Sequence, residues 1–254
     1  MHMDINKSMV YQFCMYDNPS NQITARKLPV YLQITEQITR EIGAGLLVDG
    51  QRLPAERQLA QNYGVTVRTL RKSLSRLTDL GLLSRKQGSG NYICKNENSH
   101  SIYSFFRLEL LQGGGLPSAK ILQIDTLKKP KTLPHFGSSH EGHRFRRLRF
   151  LNEYPVAVEE IWLDRSCISK INKSRISDSL YKFYKDDLEL LIMRTEDWVG
   201  IDSFPEWGED IFFLAPQENC GFVERFGWSQ TDQKVEYSRT WFDAGRARYV
   251  ARLR

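Results

Sequence analysis

Between residues 28 and 94 the apolar positions follow a helical period three times in succession and then give way to short alternating runs. Tyr31, Ile34, Ile38 and Ile42 recur at helical spacing, which predicts a helix from about Pro29 to Gly43 with one apolar stripe. Pro29 suits its opening turn, and Gly43 and Gly45 mark its end. A second helix begins around Leu53-Pro54-Ala55-Glu56-Arg57, buries Leu59, Ala60 and Tyr63, and stops at Gly64 in a left-handed cap. Thr66 is the expected N-cap of a third helix that reaches about Leu80. There Leu70, Leu74 and Leu77 face inward and leave Arg68, Arg71, Lys72 and Ser75 outside. After Gly81, Leu82-Leu83-Ser84-Arg85 and Asn91-Tyr92-Ile93 read as two strands around the basic turn Lys86-Gln87-Gly88-Ser89-Gly90.

The pattern beyond residue 101 is different. Alternating runs at Ala119–Thr126, His143–Leu151, Val156–Leu163, Leu190–Ile192 and Val235–Phe242 predict strands. Helices are expected only at Ser177–Tyr184 and Gln217–Cys220, and Asn152-Glu153-Tyr154-Pro155 reads as a hairpin turn. All five tryptophans and 12 of the 13 phenylalanines lie after residue 100, enough to build a core and to line a pocket. The fold class is therefore α+β: an N-terminal winged helix-turn-helix followed by an antiparallel sheet with helices packed on one side. Residues 1–27 read as a flexible arm, 28–94 as the helical module, 95–101 as a polar linker and 102–254 as the second domain.

Charge sharpens this division. The chain of 254 residues carries a formal +6, with ten Lys/Arg against five Asp/Glu in residues 28–95 and 23 of each from residue 96 onward. Nearly all the excess positive charge thus sits on the small module, as expected if that part alone faces phosphate. Three helices and a basic hairpin suit a protein that sets one helix in a DNA groove and lays the hairpin beside it. The candidate DNA contacts are Arg57, Thr66, Arg68, Thr69, Arg71 and Lys72 on the helices, and Arg85, Gln87, Gly88, Ser89 and Gly90 in the wing. A surface ion pair is the alternative for each arginine, and it suits Arg76 better than Arg57 or Arg71.

The four cysteines are far apart, with neither CxxC pairs nor clustered histidines, so no zinc site, disulfide framework or cofactor is expected, and reduced thiols in a cytoplasm fit. No apolar run approaches the roughly 18–20 residues that span a bilayer. The first 22 residues lack the continuous apolar stretch of a secretory signal.

The segments YLQITEQITREI, LPAERQLAQNYGV, Thr69-Leu70-Arg71 and LGLLSRKQGSGNYI resemble the DNA-binding domain of the GntR family of bacterial transcription regulators. The resemblance implies a phosphate contact at Arg57, a recognition-helix contact at Arg71, and minor-groove or backbone contacts at Gly88 and Gly90. One departure matters. The family commonly places an arginine directly after the Ser/Thr that opens helix three, and here that position is Val67. Arg68 follows, rotated by about 100° on an ideal helix. Either Arg68 takes over base reading with an altered operator preference, or one base contact is lost.

Further along, Tyr103-Ser-Phe, Leu116-Pro-Ser-Ala-Lys120, Arg147-Leu-Arg149, Tyr154-Pro155-Val-Ala-Val-Glu159, Ser179-Leu-Tyr181 and Val235-Glu-Tyr-Ser238 resemble, in shared order, the UTRA effector domain of the HutC subgroup, a chorismate-lyase-like fold. The stretch from Leu190 to Glu218 and the long link Phe242-Asp-Ala-Gly-Arg-Ala-Arg-Tyr249 depart from the subgroup's pattern. The resemblance implies that Arg147, Arg149, Glu159 and Glu236 hold a small polar effector, with Ser104 and Tyr237 as further pocket candidates. Alternation puts Arg147 and Arg149 on one side of a strand, where two guanidinium groups can grip one carboxylate or phosphate. An internal salt bridge with Glu159 or Glu236 is the alternative, and Arg144 and Arg146 are expected on the opposite, solvent-facing side.

The implied function is a homodimeric, ligand-responsive regulator, a repressor released from palindromic double-stranded operator DNA by a small polar or anionic metabolite such as a sugar phosphate. An architectural DNA-binding protein whose second domain only dimerises is one alternative. A lyase-like enzyme is another, although the chain shows no nucleophile–base motif and no phosphate-cradling loop.

Overall fold

The computed structural model describes residues 29–43, 45–94, 105–176, 179–208, 214 and 217–252. The expected arm at 1–27, the linker at 95–101 and Ser104 lie outside the described residues.

Helices α1 (Val30–Gly43), α2 (Glu56–Asn62) and α3 (Val67–Asp79) precede a hairpin of β1 (Leu83–Lys86) and β2 (Gly90–Ile93). Ile34, Ile38, Leu70, Leu74 and Leu77 are wholly buried where the three helices meet, so the apolar stripes pack as their spacing requires. The Thr66 hydroxyl caps α3 by accepting from the Thr69 N–H at 3.2 Å. Gly64 makes the turn before it at φ +63°.

Helix α1 is buried on more than its apolar stripe. Gln33, Thr35, Glu36, Gln37 and Thr39 are also buried, because a second face of α1 packs against the start of β4 (Pro117–Lys128), where Leu116 joins the helical core. Several of these polar groups are satisfied within the helix, although Gln37 Oε1 is buried without a hydrogen bond. Thr35 and Thr39 hydroxyls donate to the Tyr31 and Thr35 carbonyls at 2.8 and 2.9 Å, and Gln37 Nε2 donates to Glu41 Oε1 at 2.7 Å.

The second region is a six-stranded antiparallel sheet. Its strands are β4, β5 (Glu141–Leu151), β6 (Tyr154–Asp164), β7 (Ile192–Ser203), β8 (Asn219–Ser229) and β9 (Lys234–Phe242). The order across the sheet is β4-β5-β6-β9-β8-β7, which leaves β7 at an edge. A short pair, β3 (Leu108–Leu110) with β10 (Ala247–Tyr249), stands apart. The β5–β6 connection is the expected hairpin, with Asn152 and Glu153 at φ +48° and +66°.

Helix α4 (Leu180–Leu188) covers one face of the sheet. Leu180, Phe183 and Tyr184 pack there on Phe145, Ile161 and Leu163. The Ser179 hydroxyl caps this helix, so it starts later than the predicted Ser177 and runs past Tyr184. Aromatic clusters cover the other face: Phe136, Trp162, Phe226, Trp228 and Tyr237 in one, Phe204, Trp241, Trp207 and Phe222 in the next.

Three expectations change. Gln217–Cys220 is not a helix: β8 opens at Asn219, and this strand, unread in the sequence, is the fifth of six across the sheet. The run predicted at Leu190–Ile192 meets β7 only at its last residue, where the strand opens and continues to Ser203. Arg144 and Arg146 do occupy the face opposite Arg147, but they are half-buried and paired, and Arg144 Nη2 donates to Asp125 at 2.6 Å. Glu160, 2% exposed, gathers them: Arg146 Nε donates to it at 2.8 Å, Arg239 Nη2 at 2.6 Å and Trp162 Nε1 at 3.0 Å, with Arg144 at 3.9 Å. The Arg146 guanidinium also lies 4.6 Å from the centre of the Trp207 ring.

Candidate functional site

Two surfaces bring the expected residues together. On the helical module Arg57, Arg68, Arg71, Lys72, Arg85 and Gln87 are exposed, Thr66 is exposed and Thr69 half-buried. The wing turn closes with the Ser89 N–H donating to the Lys86 carbonyl at 2.9 Å. Gly88 and Gly90 sit at φ +73° and +118°, backbone conformations that a side chain disfavours. Their glycines thus serve the turn as well as any close approach to a backbone. Tyr92 braces the wing: its hydroxyl lies 2.7 Å from Ser89 Oγ, and Lys86 Nζ stands 4.6 Å above its ring.

Sequence reasoning missed Arg52, which bridges to Tyr92 and lies so close to Gly90 that a Cβ there would sit 3.2 Å from its Nε. It precedes the second helix as a lone cation, and only the fold carries it to the wing. The surface ion pair falls on Arg71, whose Nε donates to Glu56 at 2.7 Å; none involving Arg76 occurs among the described residues. The Arg71 hydrogen bond holds the Glu56 carboxyl below its ordinary pKa despite partial burial. With the Arg71 side chain 66% exposed, such a pair contributes under about 1 kcal/mol, so Arg71 can exchange Glu56 for a phosphate at little cost.

The second surface is a half-open cavity of about 60 Å³ on the α4 side of the sheet. Alternation along β5, β6, β8 and β9 brings Arg147, Arg149, Glu159, Arg225, Glu236, Ser238 and Thr240 to its walls, with Phe106 and Tyr181 completing it. Arg147 and Glu159 stand opposite each other in register, and Arg147 Nη2 and Nε both donate to Glu159 Oε2, at 2.7 and 3.1 Å. Arg149 Nε lies 3.7 Å from the other carboxylate oxygen. The internal salt bridge and the cavity wall are therefore the same residues. Burial pushes the Glu159 carboxyl up, but Arg147 and Arg149 together outweigh it and hold the group below the usual carboxylate range.

Glu236 has the opposite balance. It is 1% exposed, accepts the Tyr181 hydroxyl at 2.9 Å on Oε1, and among the described residues leaves Oε2 buried without a hydrogen bond. Burial raises its pKa, and Tyr184, Tyr181, Arg225 and Arg147 offset only part of that rise. Arg225, absent from the sequence reading, is held by Asp197 of β7, whose carboxylate accepts from its Nε and Nη2 at 2.5 Å each and from the Tyr249 hydroxyl at 2.7 Å. The alternation Phe222, Glu224, Phe226 against Val223, Arg225 was the available signal. Tyr237 does not reach the cavity; it lies on the opposite face and its hydroxyl donates to Glu224. Three guanidiniums thus stand among the Glu159 and Asp197 carboxylates and Glu236, whose raised pKa lessens its hold on them.

Among the described residues no group of three or more His, Cys, Asp or Glu could hold a metal ion, and no helix is long and apolar enough to cross a membrane. Residues 30–93 match the family described as bacterial regulatory proteins, gntR family, and residues 112–248 match the UTRA domain. The chain is 47% identical over 231 residues to the HTH-type transcriptional regulator SmoD of Agrobacterium fabrum, covering 91% of this chain and 99% of that one. It is 28% identical over 228 residues to the HTH-type transcriptional repressor NagR of Bacillus subtilis, covering 88% and 94%. The solved structure of YydK from Bacillus subtilis superimposes with a TM-score of 0.50 at 20% identity, covering 89% of this chain and 99% of that one, a likeness of fold. The family and these relatives are transcription regulators and not enzymes, so the lyase-like alternative falls. A gntR-type reading head joined to a UTRA effector domain makes this chain a member of the GntR family of bacterial transcription regulators, in the arrangement of its HutC subgroup.

Proposed function

We propose that the protein is a homodimeric repressor that holds a palindromic operator and leaves it when a small organic anion enters the sheet cavity. The convergence of Arg147, Arg149 and Arg225 beside a hydroxyl-rich wall and the unsatisfied Glu236 Oε2 carries this reading. Guanidinium groups supply the charge for a carboxylate, sulfonate or phosphate group. Glu236, Ser238 and Thr240 suit the hydroxyls of the same ligand. A half-open cavity of about 60 Å³ takes the charged group of such a ligand, and the rest extends through its mouth or displaces its walls. Displacement of the walls would link the ligand to the DNA. A metabolite shifts the operator equilibrium only by its differential affinity for the two arrangements, and operator DNA must weaken the metabolite by the same factor.

Edge strand β7 supports the dimer. It exposes Trp198, Val199 and Ile201, an apolar edge that natural sheets cover or charge. Two heads joined there would read half-sites about one helical turn apart.

Selection of genomic DNA fragments by the purified protein at moderate salt tests the reading. Recovery of one shared palindrome is the expected result; retention without a shared sequence would leave the architectural alternative standing. In the same protein Arg57→Ala should weaken binding to all DNA alike and lower the salt slope by about one phosphate contact.

The cavity makes a separate pH prediction. Protonated Glu236 is neutral, and as pH rises through its raised pKa a negative charge appears beside Tyr181, Arg147 and Arg225, opposing an anion. Sulfate, which does not titrate in this range, should bind more weakly as pH rises, and Glu236→Gln should remove the dependence. Calorimetry across that range checks it; an unchanged pH profile in the glutamine variant would assign the titration elsewhere.

A further inference from the structure

We propose that Phe106 is the residue that couples the effector cavity to the DNA-reading head. Its ring lines the cavity with the Arg149 guanidinium 4.3 Å from its centre, and from the other domain the Arg40 guanidinium of α1 lies 5.2 Å from the same ring. This coupling rests on the anion-binding reading above.

The clamp is electrostatically strained. Arg40 stands on the face of α1 that packs toward the sheet, and its Nη1 is buried without a hydrogen bond. Burial pulls the Arg40 pKa down to about 10; Glu109 opposes that fall and Arg149 adds to it. Glu109 is itself shared, since Arg252 donates to it at 2.6 and 3.0 Å. Two cations therefore meet at one aromatic ring, each attracted by the ring and repelled by the other in a medium that screens poorly. An anion drawn to Arg149 removes the repulsion and leaves both attractions. The docked position of α1, against the segment that leads into β4, becomes more stable when the cavity is filled. A head held on its own effector domain is not free to take up operator spacing, which gives the ligand the differential affinity that release requires.

The second route between the sites runs the same way. Asp197 holds Arg225 of the cavity wall and Tyr249 of β10, and β10 pairs with β3, which carries Glu109 beside Arg40. Phe106 is a positioning residue in this scheme, because it alters no DNA contact.

Hydrogen exchange of the full-length protein tests the coupling without a known operator, with sodium sulfate as the probe against sodium chloride at equal ionic strength. In the wild type, sulfate should slow exchange in β5 and β9, where it binds, and in α1 and residues 114–118, where the head docks. Slowing of about fivefold or more is the scale of ordinary coupling. In Arg40→Met, which leaves every cavity residue in place, the slowing at β5 and β9 should persist while α1 is protected with and without sulfate, because the repulsion is gone. In Phe106→Leu, which also removes part of the cavity wall, the slowing at α1 should disappear. Equal slowing of α1 in wild type and Phe106→Leu would overturn the coupling, as would an α1 indifferent to sulfate in the wild type, and either result would leave the pocket intact. No slowing at β5 and β9 in the wild type would overturn the pocket, and the coupling with it.

Discussion

Glu159→Gln is expected to destabilise the C-terminal domain by about 3–5 kcal/mol, the range for removing one partner of a buried ion pair. Among the described residues Glu159 accepts from Arg147 on one oxygen and lies 3.7 Å from Arg149 Nε on the other, so the amide takes a negative charge away from two buried guanidiniums. For a domain of this size the melting temperature should fall by roughly 10 °C. Sulfate should restore part of the loss, because an anion in the cavity replaces the missing charge. Acid sensitivity should change with it. The folded-state pKa of Glu159 is depressed, so its stabilising contribution is present above the unfolded carboxylate value and is lost as pH falls through the folded one. The glutamine variant should lack that part of the acid transition. Urea unfolding with and without sulfate, repeated as pH falls through the acid range, reads all three effects. An unchanged midpoint would mean that the arginines do not depend on Glu159, and the argument for a cation-rich cavity would fail.

The head and the cavity were not equally legible. Helix α3 could be read because everything that defines it is local: Leu70, Leu74 and Leu77 at one period, the Thr66 cap, and Gly64 and Gly81 at the ends. Arg147 and Arg149 could be placed on one face because strand alternation needs no tertiary information. Strand β8 could not, since Gly221 and Gly227 and charges at Glu224 and Arg225 blur its pattern until β7 and β9 flank it. Arg225 was lost with it. Gly221 itself has a reason only in the fold, where a Cβ would strike the Phe242 ring at 2.2 Å. The solvent-side reading of Arg144 and Arg146 failed for a related reason. Alternation says which face a side chain takes but not whether aromatic side chains and a loop will cover that face. The buried polar side of α1 is likewise invisible in its own sequence, because what buries it is the chain from 116 onward.

Arg68→Ala is the substitution that decides what Val67 has done to DNA reading. Val67 is half-buried and packs against the head's core, so its side chain serves the module's interior. One residue on, about 100° around the helix, Arg68 is fully available, and no ion pair holds it among the described residues. Arg71 is also exposed, but it must first leave Glu56. A base contact from Arg68 predicts that its alanine variant loses about 1–3 kcal/mol on the selected operator, roughly 5–150-fold in affinity. Unrelated duplex of the same length should lose far less, through one missing phosphate-steering charge. Anisotropy titrations of both duplexes over a range of salt separate the outcomes. A drop confined to the operator makes Arg68 the base reader and means that the arginine has moved one position along the helix. A parallel drop on both duplexes, with the salt slope reduced by about one, makes Arg68 a phosphate contact. The helix would then read one base fewer than its relatives, and the specificity would have to come from Arg71 and the wing.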